Sequence, residues 1–321
     1  MPLDNYLLQE LVVFAQTGTL AQTAAHLHVT QPTITRGMQK LEADLGVQLF
    51  HRQPNRLTLT ATGRLTAQLA EKLLRAQAQA VTEIQNFDRS QQALVLATVI
   101  PGPLNLLAQL DQTLLPPLKI SRALVTADVV GQLRANAATV IISNQALAAP
   151  TVKTAPTTAK TPTASAPDAI GATYLGTESL AVNLNQFMYQ ASQTTVSFAD
   201  LTGISFLVLT EIGPWRQIIQ HYIPQAKFLY QKEQAALTEI SRYSDFPYFS
   251  TNLSPLDPAF QEKRSAHDSR VQIPISDPAA QMPVYANYLQ RNRAQVKPLL
   301  EQLIHLWPDP NRTAPELPPQ A

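Results

Sequence analysis

The 321-residue chain has no cysteine, which excludes disulfide frameworks, thiolate metal sites and cysteine nucleophiles together. Charge is also scarce: Asp, Glu, Lys and Arg make up 15% of the residues, where about 25% is usual. The 24 basic residues against 23 acidic leave a net +1. That balance excludes a wholesale basic protein of histone or ribosomal type, but not a local basic surface. Glycine is short, 10 residues against 25 prolines. No stretch approaches the ~18 apolar residues of a membrane span. The opening Met-Pro-Leu-Asp-Asn has neither the basic n-region nor the apolar h-region of a signal peptide. A soluble, cytoplasmic protein without membrane contact is expected.

What is present divides along the chain. Length alone asks for at least two domains. Residues 146–169 are almost entirely Ala, Thr, Pro and Ser, a composition that builds no core and reads as an extended, mobile excursion. The Pro-rich tail, 308–321, reads the same way.

The first ninety residues carry helical periodicity. Leu7, Leu8, Leu11, Phe14 and Ala15 form one stripe ending at Thr17-Gly18. Thr19 with Gln22 is a capping-box pattern opening a short helix through Leu20, Ala24 and Leu27. After a turn at His28-Val29, Thr30 caps a third helix with Pro32 in its first turn, where a missing N–H is harmless. Ile34, Met38, Leu41 and Leu45 are its buried stripe, and Gly46 stops it. A strand at 47–50, a polar turn at 52–56 and an alternating Leu57-Thr58-Leu59 make a two-stranded wing. From Thr60 a long amphipathic helix follows, with Leu65, Leu69, Leu73, Ala76, Ala80, Ile84 and Phe87 on one stripe. The predicted domains are a winged helix-turn-helix over 1–60, a linker helix over 61–89, an α/β domain over 90–307 and the tail.

Charge supports this division. Residues 30–64 hold Arg36, Lys40, Arg52, Arg56 and Arg64 against Glu42 and Asp44, a net of about +3, whereas everything after position 89 sums to zero. The surplus sits on the third helix and the wing, where phosphates would be met. Gln31 suits a bidentate contact to adenine, Thr33 and Thr35 suit hydrogen bonds or a thymine methyl, and Arg36 suits guanine or phosphate. Thr30 and Pro32 begin the same turn, and Lys40, Arg52 and Arg56 read as phosphate contacts that fix register. An amphipathic helix must bury its stripe somewhere, and pairing two copies through Leu65, Leu69, Leu73, Ala76, Ala80 and Phe87 does so. A dimer or tetramer on a two-fold, interrupted-palindrome site in double-stranded DNA follows.

The order of Phe14, Gly18, Ala24-Ala25-x-Leu27, Val29-Thr30-Gln31-Pro32, Leu41-Glu42-x-x-Leu45-Gly46, Leu49-Phe50-x-Arg52 and Leu59-Thr60-x-x-Gly63 resembles the amino-terminal domain of LysR-type transcriptional regulators over nearly all of residues 3–64. The resemblance implies a DNA-binding regulator rather than an enzyme, with no cofactor and no metal. Gly37 stands where that family commonly has a polar side chain, and either permits close approach to the DNA backbone or has no consequence.

From Ala93 strands alternate with helices, which implies α/β architecture, parallel pairing and a crevice at the strand carboxyl ends. Strands are expected at 94–98, 119–126, 139–143, 174–182, 205–209, 227–230, 248–250, 271–275 and 284–288. Helices are expected at 104–115, 128–134, after Trp215-Arg216, and at 292–306. This layout is similar to the two-lobed, periplasmic-binding-protein-like effector domain of the same family, with one lobe about 93–173 and 276–307 and the other about 174–275. By that resemblance a small-molecule effector sits between lobes, near Thr98, Thr126, Asn144, Trp215, Arg216 and Phe249. Ile100-Pro-Gly-Pro103 removes two N–H donors from the turn that often receives an anion in the family, which argues against an anion cradle there. The alternative is an effector-independent regulator whose carboxy-terminal domain only oligomerises. The six histidines are dispersed, and no glycine-rich phosphate loop or Gly-x-Ser-x-Gly elbow occurs.

Overall fold

The computed structural model describes residues 3–53, 56–148, 168–265 and 269–308. The centre of the Ala/Pro/Thr stretch, 149–167, and the tail from 309 lie outside them. The chain divides into two compact units, Met1–Gln85 and Asn86–Ala321.

In the first unit, α1 (Asn5–Thr17), α2 (Leu20–His26) and α3 (Gln31–Leu45) carry the caps their sequences promise. Asp4, Thr19 and Thr30 accept from the backbone N–H of Tyr6, Gln22 and Thr33. Gly18 and Gly46 close α1 and α3 in the left-handed region at φ 77° and 68°, where a side chain would be strained. Leu7, Leu8, Leu11, Phe14, Ile34, Met38 and Leu41 form the core, with Phe14 edge-on to Phe50. Ala15 is exposed, and Glu10 and Val13 are buried in its stead.

The wing is β1 (Phe50–Gln53) paired antiparallel with β2 (Arg56–Leu59), Phe50 opposite Leu59. The first strand starts three residues later than the alternation predicts because the end of α3 claims the preceding backbone. Val47 N–H donates to the Glu42 carbonyl, and Leu49 and Phe50 N–H donate to the Glu42 carboxylate. Thr60 then caps α4 (Ala61–Gln92), accepting from Gly63 N–H at 2.9 Å.

Glu10 explains Gly37. Both are buried between α1 and α3, and a Cβ at position 37 would lie 1.9 Å from Glu10 Oε2. Gly37 therefore faces the interior, which corrects the expectation of a role at the DNA backbone. Glu10 Oε2 has no hydrogen-bond partner among the described residues. Burial, with Asp4 adding repulsion, pushes its pKa up to about 7.

The second unit is a mixed α/β structure built on β3 (Leu94–Thr98), β4 (Leu118–Ile120), β5 (Val140–Ser143), β6 (Ile170–Asn185), β7 (Ser205–Leu209), β8 (Lys227–Gln231), β9 (Tyr248–Thr251), β10 (Arg270–Pro274) and β11 (Gln281–Leu289). The described strands order as β4-β3-β5-β11-β6-β9-β7-β8, with β10 also on β6. Parallel pairing holds at β3–β4, β3–β5, β7–β8 and β7–β9. The long β6 and β11 run antiparallel to their neighbours, so the sheet is mixed rather than parallel throughout. The sixteen-residue β6 belongs to both halves, pairing β11 along its first part and β9 and β10 along its second.

Helices α5 (Val129–Arg134), α6 (Trp215–Tyr222), α7 (Gln234–Tyr243), α8 (Pro258–Ser265) and α9 (Arg293–Leu306) flank the sheet. The helix expected over 104–115 is instead two 3₁₀ stretches, Gly102–Gln109 and Gln112–Leu114. Leu110 is extended, at φ −69° and ψ 135°, and Asp111 begins a separate cap by accepting from Thr113 N–H, which divides the segment. The strand expected over 119–126 shrinks to β4, an edge strand with a single partner. Leu96, Ile142, Val182, Phe206, Val284 and Leu299 centre the core. No helix among the described residues is long and apolar enough to cross a membrane.

Because the unfolded Glu10 carboxyl titrates at its ordinary value of 4.5 and the folded one at about 7, the native state holds the extra proton between those values. Stability therefore falls as pH rises through that window, by at most roughly 3 kcal/mol from this group. Glu10→Gln is expected to raise the melting temperature of the first unit at pH 8 while changing it little at pH 4.5, in calorimetry of the intact protein. Equal shifts at both pH values would contradict a buried, unpaired carboxyl.

Candidate nucleic-acid interface and ligand cavity

Helix α3 has two faces of opposite character. Ile34, Met38 and Leu41 are at most 1% exposed, while Gln31, Pro32, Thr33, Arg36 and Lys40 are exposed. Thr30, also exposed, holds the first turn: its hydroxyl accepts from Thr33 N–H and lies 2.9 Å from the Thr33 hydroxyl. Thr35 is half-buried and donates back to the Gln31 carbonyl at 3.0 Å, so its hydroxyl hydrogen is engaged within the helix. The projecting turn thus presents an amide, hydroxyls and a guanidinium from a rigid base, the chemistry that reads base edges in a major groove.

Glu42 ties that helix to the wing. Its Oε1 accepts from Leu49 N–H at 2.7 Å and Phe50 N–H at 3.0 Å, and its Oε2 accepts from Arg52 Nη2 at 2.7 Å. Arg52, read from sequence as a phosphate contact, is thus held by an ion pair inside the domain. Sequence gave no sign of this, since Glu42 and Arg52 lie ten residues apart on different elements. Arg64 donates to the Leu59 carbonyl at 3.0 Å and steadies the wing's return. Arg56 begins β2, and its side chain lies outside the described residues.

Helix α4 packs inward with Gly63, Ala67 and Ala70, all buried, and half-buried Leu74. The stripe read from sequence lies on another face: Leu65, Leu69, Leu73, Ala76, Ala80, Ile84 and Phe87 are all exposed, Ile84 to 70%.

Within the second unit, a cavity of about 230 Å³ is lined by residues from several elements, among them Pro101, Gly102, Glu178, Trp215, Tyr248 and Phe249. Trp215 and Phe249 thus line one cavity. The other expected effector residues do not line it. The Thr98 hydroxyl is fully buried, donating to the Ile100 carbonyl and accepting from its N–H. Thr126 is exposed, Asn144 is half-buried in a turn, and exposed Arg216 lies 4.6 Å over the Tyr230 ring.

Glu178 was not found from sequence, because a lone glutamate in a strand gives no sign of facing inward. It is 1% exposed, and its Oε2 has no hydrogen-bond partner among the described residues. Desolvation pushes its pKa up to about 7, an effect partly offset by the Thr251 and Trp215 side chains nearby, neither of which bonds Oε2.

Taken together, the first unit has the architecture of a winged helix-turn-helix domain. Residues 6–64 match the bacterial regulatory helix-turn-helix protein family, lysR type, and form a helix-turn-helix domain of that family. The chain is 35% identical over 89 residues to the uncharacterized HTH-type transcriptional regulator YcgK of Bacillus subtilis, covering 28% of this chain and 27% of that one. It is 45% identical over 67 residues to the HTH-type transcriptional regulator TcbR of a Pseudomonas strain, 21% of this chain and 23% of that one. These matches span about a quarter of each relative's length. In overall fold the chain is similar to DarR of Vibrio fischeri, solved in complex with DNA, at 17% identity and a TM-score of 0.54, covering 95% of this chain and 100% of that one.

If Glu42 organises the wing, Glu42→Gln should expose the Leu49 and Phe50 amides to exchange at least tenfold faster, about 1–3 kcal/mol for a lost charge-assisted bond. Unchanged protection of those two amides, read by hydrogen exchange, would remove Glu42 from that role.

Proposed function

We propose that the protein is a sequence-specific, DNA-binding transcription regulator of LysR type, acting in the cytoplasm as a homodimer or homotetramer on an interrupted-palindrome operator. The observation that carries this reading is the α3 turn, which offers Gln31, Thr33 and Arg36 to solvent from a helix whose opposite face buries Ile34, Met38 and Leu41. In this reading Gln31, Thr33, Thr35 and Arg36 read bases, Pro32 shapes the turn that presents them, Thr30, Lys40 and Arg56 set register on the phosphates, and Arg52 positions the wing. The exposed stripe of α4 supports pairing with a second copy: burying Leu65, Leu69, Leu73 and Phe87 from each protomer contributes roughly 1.5–3 kcal/mol per side chain before association costs. The cavity of the second unit favours modulation by a small molecule over a carboxy-terminal domain that only oligomerises. The two halves of the sheet joined by β6 correspond to the two lobes of an effector domain.

Selection from a random duplex library, followed by binding isotherms, tests the reading. Gln31→Ala should cost about 1–3 kcal/mol and relax preference at one base pair in each half-site. Lys40→Ala should weaken all sequences about equally and lower the slope of log K against log salt by about 1. Recovery of no preferred sequence by the wild-type protein, or two variants indistinguishable from it, would contradict the proposal.

A further inference from the structure

The charged side chains lining the cavity in the second unit are all acidic. Its lining includes two carboxyls, Glu178 and Asp257, and no lysine, arginine or histidine. Pro101, at its rim, has no N–H to offer an anion. The Asp257 carboxylate accepts from Ala259 N–H. Glu178 Oε2 and Trp215 Nε1 are both buried without a hydrogen bond of ordinary geometry among the described residues, although the indole lies near enough to the carboxyl to favour its charged form. Buried polar atoms in native structures are almost always paired with protein or ordered water, so an orphaned acceptor and an orphaned donor on one cavity call for a filler. Gly102 packs directly on the carboxyl: a Cβ there would lie 2.0 Å from Glu178 Oε1, so a larger residue at 102 would push the carboxyl aside.

The remaining lining mixes aromatic and aliphatic side chains with the neutral polar Asn105, Gln234, Ser250, Thr251 and Ser254. Tyr248, Phe249, Phe260 and Trp215 all contribute, and aromatic faces attract cations as well as apolar surface. At about 230 Å³ the space lies below the roughly 300–1,000 Å³ of drug-sized sites. It fits a metabolite with one ring or a short chain.

We infer that this cavity takes a small aryl or alkyl amine, its protonated nitrogen donating to Glu178 and a neutral oxygen or nitrogen elsewhere on it accepting from the Trp215 indole N–H. The inference rests on the effector reading proposed above and gives it a ligand class. A carboxylate ligand would place a second negative charge beside Glu178 without a cation to offset either.

Three probes of one skeleton separate the possibilities: tyramine, its neutral counterpart tyrosol, and 4-hydroxyphenylacetate. Calorimetric titration of the intact protein at pH 8 should find tyramine at least tenfold tighter than tyrosol, with no heat from 4-hydroxyphenylacetate. Glu178→Gln should abolish the preference for tyramine over tyrosol, and Trp215→Phe should weaken both about equally. The wild-type series stands by itself should either variant fail to fold. Tighter binding of 4-hydroxyphenylacetate, equal binding of all three, or binding of none, as when ordered water alone fills the space, would overturn the inference. Tyramine binding that leaves the affinity for the selected DNA unchanged would uphold the ligand class and contradict the effector reading.

Discussion

The constraint on which the rest depends is that α4 has more apolar surface than one chain can bury. Gly63, Ala67 and Ala70 lie in the core of the first unit, which uses up the face available to that domain. The leucine, isoleucine and phenylalanine stripe from Leu65 to Phe87 is left in solvent. Contiguous apolar patches of this kind mark association sites in soluble proteins, and an amphipathic stripe on a long helix is most economically covered by its own copy. Pairing sets two recognition turns at a fixed separation, so the proposed operator symmetry follows from the same helix that asks for a partner.

Three buried or half-buried glutamates show how one residue type serves different ends. Glu42 is saturated: two backbone N–H groups and a guanidinium converge on it and join α3 to the wing. Glu10 and Glu178 each keep an oxygen without a partner among the described residues, and each carboxyl lies where a methyl group on the facing glycine, Gly37 or Gly102, would displace it. At Glu10 the surroundings are α1 and α3 packed closely, and the result is a stability cost above neutral pH. At Glu178 the surroundings open into a cavity, and the same chemistry becomes a place for a ligand nitrogen.

The first unit was legible in the sequence because each boundary has a local cause: Thr19 and Thr30 cap, Gly18 and Gly46 stop, and the stripe spacing names the core. The errors there came from long-range pairing, as in Glu42 claiming residues 49, 50 and 52 and delaying the wing strand, and in Gly37 answering to Glu10 twenty-seven residues earlier. In the second unit strand positions were readable from apolar runs, and Leu94–Thr98 and Ser205–Leu209 agree with the structure. Strand direction was not, because β6 and β11 return antiparallel for reasons that lie in the assembled sheet. The cavity was half visible: Trp215 and Phe249 stand out by type, whereas Glu178 becomes informative only once its burial is known.

Sedimentation equilibrium on the intact protein, with and without Leu69→Asp and Leu73→Asp together, tests the central claim most directly, since both positions are exposed and neither supports the core of a single chain. A wild-type dimer or tetramer is expected at the concentrations where DNA is bound, and a folded monomer for the double variant. A wild-type monomer at those concentrations, or a double variant that associates as tightly as wild type, would contradict it.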